Sequence, residues 1–160
     1  MSEVQMSEEQ EKTHKNFGAT LFNNSWGILD KADRSEDDIR TLINMAHASA
    51  YHWQQVGKPE NLQRSEWMLA NVYAELKRSE PAMYHAKRCR ELTEKHDMKD
   101  WDLAYSYEVL ARAQKMIGNF KEYDKNKKLA REAGETIENA DIKKQFDADM
   151  ETWHSTAELH

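Results

Sequence analysis

LANVYAELKRSEPAMYHAKRC, residues 69–89, returns 41 residues later in weaker form as LARAQKMIGNFKEYDKNKKLA, residues 110–130. Both copies open with Leu-Ala, and three further positions follow that Ala at +12, +16 and +19 in each copy. These positions hold Ala82, Ala86 and Cys89 in the first copy, and Tyr123, Lys127 and Ala130 in the second. Similarity at a fixed period indicates a repeat architecture, in which each unit buries its apolar face against the next one.

The composition around these two copies favours helices throughout. The 160 residues include only 5 Gly and 2 Pro, while 39% are hydrophobic and 32% are charged. Apolar side chains recur with a helical period along the chain, and strong helix formers fill the positions between them. We therefore predict one all-α domain, residues 1–160, of about seven helices. Short connections make consecutive helices antiparallel neighbours.

Start and stop signals divide the chain into these helices. Ser7 lies three residues before Gln10, which is typical of a capping box. Gly57 is expected to end the second helix in the left-handed conformation, and Gly118 is expected to form a tight turn after the fifth. Ser35 is expected to open the second helix, Ser79 to cap the fourth and Asp100 to cap the fifth. Pro59 suits the first turn of the third helix, and the seventh is expected to start near Asn139.

The two copies resemble the tetratricopeptide repeat (TPR), whose small residues at these offsets let two antiparallel helices approach closely. The second copy matches better, through Tyr107, Leu110, Ala111, the Gly118-Asn119-Phe120 turn and Ala130. The resemblance covers residues 62–95 and 103–134, and the stretch from Ala50 to Ala111 looks like a bacterial group of small helical-repeat proteins without an assigned activity. It implies a TPR-like right-handed superhelix that residues 137–158 close as a capping helix.

The resemblance also implies a concave groove lined by the first helix of each hairpin. Its expected residues are Arg64, Trp67 and Asn71 from the third helix, and Tyr105, Glu108 and Arg112 from the fifth. Aromatic rings beside arginine forks suit a protein or peptide partner, or an acidic small ligand. This favours a non-catalytic interaction or ligand-binding module without a cofactor. The alternative is that Trp67 and Tyr105 are packed core and that Arg64 pairs with Glu108.

Two other classes of function stay open. A His/Cys/Glu metal site, in a metal-dependent enzyme or a metal sensor, would use His47, His52, His85, Cys89 and Glu66. His85 and Cys89 share a helix face, but His47 and His52 are five residues apart and diverge, and the repeat register predicts that Cys89 is buried. The remaining class is a structural subunit, such as a homodimer.

Charge and cysteine content limit the partners and the cellular compartment that we expect. The net charge is −6, the sequence pI is near 5.7, and basic residues are not interleaved with aromatic ones, so we expect no nucleic-acid partner. A basic stripe of Lys121, Lys125 and Lys128 is interpreted as a solvated helix face. A single cysteine, a polar amino-terminal segment and the lack of a long apolar run predict a cytoplasmic protein with no disulfide and no membrane partner.

Five tryptophans are many for this length, and they fall on five different predicted helices. Trp53 and Trp153 lie on apolar stripes, which predicts that they pack in the core. Trp26 and Trp101 are expected to be half exposed and are candidate contact points at an interface.

Overall fold

The computed structural model describes residues 5–154, which are all-α over that range. The helices are α1 (Glu8–Leu29), α2 (Glu36–Val56), α3 (Pro59–Glu75), α4 (Ser79–Lys95), α5 (Asp100–Met116), α6 (Phe120–Gly134) and α7 (Ala140–His154). Each helix packs on the next one along the chain, which confirms the predicted helical-repeat arrangement. Over the described range, no helix combines the length and apolar character that a membrane span requires.

The turns that close α3 and α5 show the same repeat at the level of the backbone. Lys77 and Gly118, again 41 residues apart, both adopt the left-handed conformation, with φ of 57° and 76°. In each turn the next residue donates its amide to the carbonyl five residues earlier, at 2.9 and 3.0 Å. This is the bond pattern of a Schellman motif, which satisfies carbonyls at a helix end. The first copy therefore keeps the turn although Lys77 replaces the expected glycine.

The repeat positions lie on α3 and α4 in the first copy and on α5 and α6 in the second. Nearly all of them are fully buried, namely Ala70, Ala82, Ala86, Cys89, Ala111, Tyr123 and Ala130. Lys127 is the exception and is only half-buried. The buried residues at these positions are small in α3 and α4, whereas Tyr123 in α6 is a large side chain.

The helix boundaries follow the sequence signals with three corrections. Ser7 and Ser35 form the capping boxes of α1 and α2, and Pro59 is the first residue of α3. Gly57 is extended rather than left-handed, with φ −75° and ψ 152°, because the two-residue connection must run straight into Pro59. Ser79 is the first helical residue of α4, since Arg78 takes the flanking position after the α3 turn. Asp100 likewise lies inside α5, and its Oδ1 accepts the Trp101 amide at 2.7 Å.

Helix α7 begins where expected, because Asn139 Oδ1 accepts the amides of residues 141 and 142 at 3.0 Å each. Residues 155–158 of the predicted capping helix lie outside the described residues. Gly134 leaves room for the ring of Phe146, which packs against the end of α6. Tyr105 of α5 donates its hydroxyl to Asp149 at 2.6 Å. These contacts hold α7 against the face of α5 that the sequence assigned to the groove.

Candidate functional site

Five aromatic side chains from four helices converge on one cavity of about 480 Å³, which we call the aromatic cavity. They are Trp26 from α1, Trp67 from α3, Trp101 and Tyr105 from α5, and Trp153 from α7. The remaining lining residues are Asp30, Ile142, Gln145 and Asp149. A cavity of this size, mostly apolar with a few polar groups, has the composition of a small-molecule site.

Several of the aromatic side chains in the cavity wall pack against one another. The ring centroids of Trp26 and Trp67 are 5.5 Å apart, and those of Trp67 and Tyr105 are 5.4 Å apart in an edge-to-face contact. Tyr105 also meets Phe146 edge-to-face at 4.9 Å. The indole N–H of Trp67 is buried and has no acceptor within the described part of the chain. Edge-to-face pairs of this kind fix ring orientation, so the walls are preformed.

Two carboxylates give the aromatic cavity its charge. Asp149 is half-buried and accepts hydrogen bonds from Tyr105 Oη at 2.6 Å and Gln145 Nε2 at 2.9 Å. Burial raises the pKa of Asp149 above its ordinary range, although these two donors act in the opposite direction. Asp30, at the end of α1, is exposed. Within residues 5–154, neither carboxylate forms an ion pair.

The two predicted groove arginines lie behind the aromatic walls, where each already holds a carboxylate. Arg64 binds Asp102 through Nε and Nη2, at 3.0 and 3.1 Å, and its guanidinium lies 4.2 Å from the ring centroid of Trp101. The predicted pairing of Arg64 with Glu108 is therefore wrong, because Asp102 on the first turn of α5 is the nearer acid.

Arg112 is held in the same way. It binds Glu108 through Nε and Nη2, at 3.0 and 2.9 Å, and lies 3.7 Å from the ring centroid of Trp153. Glu108 is 0% exposed, and its Oε2 also lies 2.9 Å from His154 Nε2. Asn71 is buried and accepts from Arg112 through its side-chain oxygen. Asn71, Glu108 and Arg112 thus form a network beneath α7, whereas Trp67 and Tyr105 line the aromatic cavity.

Part of the alternative metal set does come together. His47, Glu66 and His85 line a second cavity of about 470 Å³ between α2, α3 and α4. His85 Nδ1 is 2.6 Å from Glu66 Oε2, while His47 Nε2 is 2.7 Å from the hydroxyl of Tyr73. Burial and the nearby His85 lower the pKa of His47. The hydrogen-bond partners of both histidines are therefore side chains of the protein itself.

The other two members of that set lie elsewhere. His52 contacts His14 of α1, with Nδ1 atoms 2.8 Å apart. Cys89 is fully buried between the helices, as its repeat position predicted, and burial raises the pKa of its thiol. Across residues 5–154, no group of three or more His, Cys, Asp or Glu side chains has an arrangement that could hold a metal ion.

Sequence reasoning missed most of the aromatic cavity. It identified Trp67 and Tyr105 as candidate site residues, but it treated Trp26 and Trp101 as possible interface residues and Trp153 as core. All three line the cavity and are half-buried. The available signal was the unusual number of tryptophans, one of them at the start of α5 and another at the end of α7.

No family model, no curated protein and no solved structure matches this chain. Fold and cavity define its class, which is an all-α helical-repeat protein with a preformed, ligand-sized aromatic cavity. The function is therefore inferred from the geometry and charge of that cavity.

Proposed function

We propose that this protein is a non-catalytic binding module whose site is the aromatic cavity. The observation that carries the proposal is the convergence of five aromatic rings from four helices on a single cavity of about 480 Å³. Large aromatic side chains are costly to leave partly exposed, and in binding sites they supply most of the contact area. Of the residues that line the cavity, only Asp30, Tyr105 and Asp149 carry titratable groups, and burial raises the Tyr105 pKa above its ordinary range. This set suits binding better than nucleophilic or acid–base chemistry.

The ligand is small, or it is a single side chain of a larger partner. Helix α7 covers the Asn71, Glu108 and Arg112 end of the groove, so an extended peptide along α3 and α5 would have to displace it. Arg64 and Arg112 are already neutralised by internal carboxylates, which argues against an acidic ligand on them.

We also propose that the fold is TPR-like and related to the bacterial helical-repeat group that its sequence resembles. The repeated left-handed turn at Lys77 and Gly118 and the buried small residues 41 positions apart support this. A cytoplasmic setting belongs to the same proposal, and it is supported by a sequence whose single cysteine allows no intramolecular disulfide.

A ligand screen with a cavity-filling variant tests the proposed site. Thermal unfolding of the full chain is followed with a panel of acidic, neutral and cationic small molecules and amino acids. Ile142→Trp places a large ring among the lining residues, while Ile117→Trp makes the same change at an exposed position outside the aromatic cavity. We expect compounds that stabilise the wild type to stabilise Ile117→Trp equally and to lose their effect on Ile142→Trp. Hits that stabilise both variants alike would refute the site.

A further inference from the structure

The charge of the aromatic cavity selects among ligands. Its lining contains two carboxylates, Asp30 and Asp149, and no Lys, Arg or His. Two arginines, Arg64 and Arg112, stand behind Trp101 and Trp153, and each is neutralised by its own carboxylate at 3.0 Å or less. The lining therefore presents a net negative charge framed by aromatic faces.

We propose that the aromatic cavity binds an organic cation with a methylated ammonium head group. This inference rests on the proposed function and names the ligand class of the same site. The face of an indole ring is electron-rich and attracts a cation within about 6 Å, most strongly for tryptophan. Trp26, Trp67, Trp101 and Trp153 supply such rings on several sides of the cavity, while Asp30 and Asp149 supply the counter-charge.

The hydrogen bonds within the site favour a methylated head group over a bare ammonium or guanidinium group. A bare ammonium is strongly hydrated and needs acceptors to replace its water. Each oxygen of Asp149 already accepts one bond, from Tyr105 or from Gln145, which uses about half of the acceptor sites of the carboxylate. Asp30 is an exposed residue at the end of α1. Asp149 is thus placed to act as a charge at the wall. A methylated ammonium needs only that charge and the ring faces, because it has few or no N–H donors.

A pair of isosteres tests the charge requirement directly. Choline and 3,3-dimethyl-1-butanol have the same shape, but only choline carries the positive nitrogen. Each is titrated into the full chain, and binding is followed by tryptophan fluorescence and by calorimetry. We expect choline to bind at least tenfold more tightly than its neutral isostere. Equal affinities would overturn the cation inference and leave an apolar ligand for the same cavity, so the proposed function would survive. Binding of neither compound would also overturn it, and the wider panel would decide the proposed function separately.

Two carboxylates on α7 provide a matched pair of variants. Asp149→Asn removes the charge at the cavity wall and keeps the shape, whereas Asp147→Asn makes the same change at an exposed residue paired with Lys143. We expect Asp149→Asn to weaken choline binding about tenfold or more and Asp147→Asn to leave it within twofold. Asp30→Asn, at the exposed end of α1, is the second test should Asp149→Asn fail to fold. Equal affinities of the cavity variants and Asp147→Asn would contradict the assignment.

The same chemistry has two sources, a free small molecule or a methylated lysine in a protein. Tetramethylammonium and short peptides with unmodified or trimethylated lysine distinguish them. A trimethyllysine peptide that binds more than tenfold tighter than tetramethylammonium assigns the site to a modified side chain. Comparable affinities assign it to a free solute. An unmodified lysine peptide that binds as tightly as the trimethylated one would contradict the methylated head group.

Discussion

Replacing Glu108 with Ala leaves a buried charge without its counter-ion. Glu108 is fully buried. Its carboxylate accepts hydrogen bonds from Nε and Nη2 of Arg112, at 3.0 and 2.9 Å, and it lies 2.9 Å from His154 Nε2. Removing one partner of a buried ion pair costs about 3–5 kcal/mol, because the remaining charge stays out of water. For a chain of this size, each kcal/mol lowers the thermal midpoint by about 2–4 °C, so a fall of roughly 6–20 °C is expected.

Urea unfolding followed by circular dichroism measures the free energy of unfolding for each variant. Glu91→Ala is the matched control, since Glu91 forms an exposed pair with Arg88, and such pairs contribute at most about 1 kcal/mol. The double variant Glu108→Ala/Arg112→Met also removes the orphaned charge, so it should be more stable than Glu108→Ala alone. The reasoning is refuted if Glu108→Ala costs no more than Glu91→Ala, or if the double variant is the less stable of the two.

Three further predictions follow from packing, burial and charge. Gly18→Ala should lower the free energy of unfolding by about 1–3 kcal/mol, because the added Cβ would lie 2.8 Å from the Trp53 ring. In the control Gly27→Ala the added Cβ contacts no other atom, so the free energy of unfolding should rise by up to about 1 kcal/mol. Equal effects of the two variants in urea unfolding would contradict the α1–α2 packing. Burial raises the folded-state pKa of Asp149 above its ordinary 3.8, so the stability of the wild type relative to Asp149→Asn should depend on pH. Because the folded wild type takes up that proton first, it should gain stability relative to Asp149→Asn as the pH falls through the folded-state pKa towards 3.8. A relative loss of wild-type stability with acid would show the opposite shift. Cys89 should react with iodoacetamide only after unfolding, and native-state labelling by mass spectrometry at the rate of a free thiol would disprove its burial.

The fold was predictable because its signals are local and repeated. The offsets that place Ala70, Ala111 and Ala130 at helix contacts are fixed by the sequence, and all three are fully buried. The errors came at short connections, where geometry between neighbouring helices decides the backbone. The predicted left-handed conformation of Gly57 was wrong because the chain has to stay extended into α3, although a glycine at a helix end favours the left-handed turn.

The aromatic cavity was only partly predictable because it depends on contacts far apart in the chain. The repeat register correctly brought Trp67 and Tyr105 to one face, since both lie on equivalent helices. Nothing in the register indicates that α1 and α7 lie over that face, which is what brings Trp26 and Trp153 to the same cavity. The partner of Arg64 was likewise a tertiary choice between Asp102 and Glu108, and the helix pattern allows both.

The five tryptophan side chains make the most direct test of the aromatic cavity as the binding site. Each indole N–H gives its own NMR signal in ¹⁵N-labelled full chain, and four of the five rings line the cavity while Trp53 packs against Gly18 instead. Tetramethylammonium is titrated against the assigned signals. We predict saturable shifts for Trp26, Trp67, Trp101 and Trp153, with the Trp53 signal unmoved. Shifts confined to Trp53, shifts of all five alike, or no saturable shift would contradict an organic-cation site in the aromatic cavity.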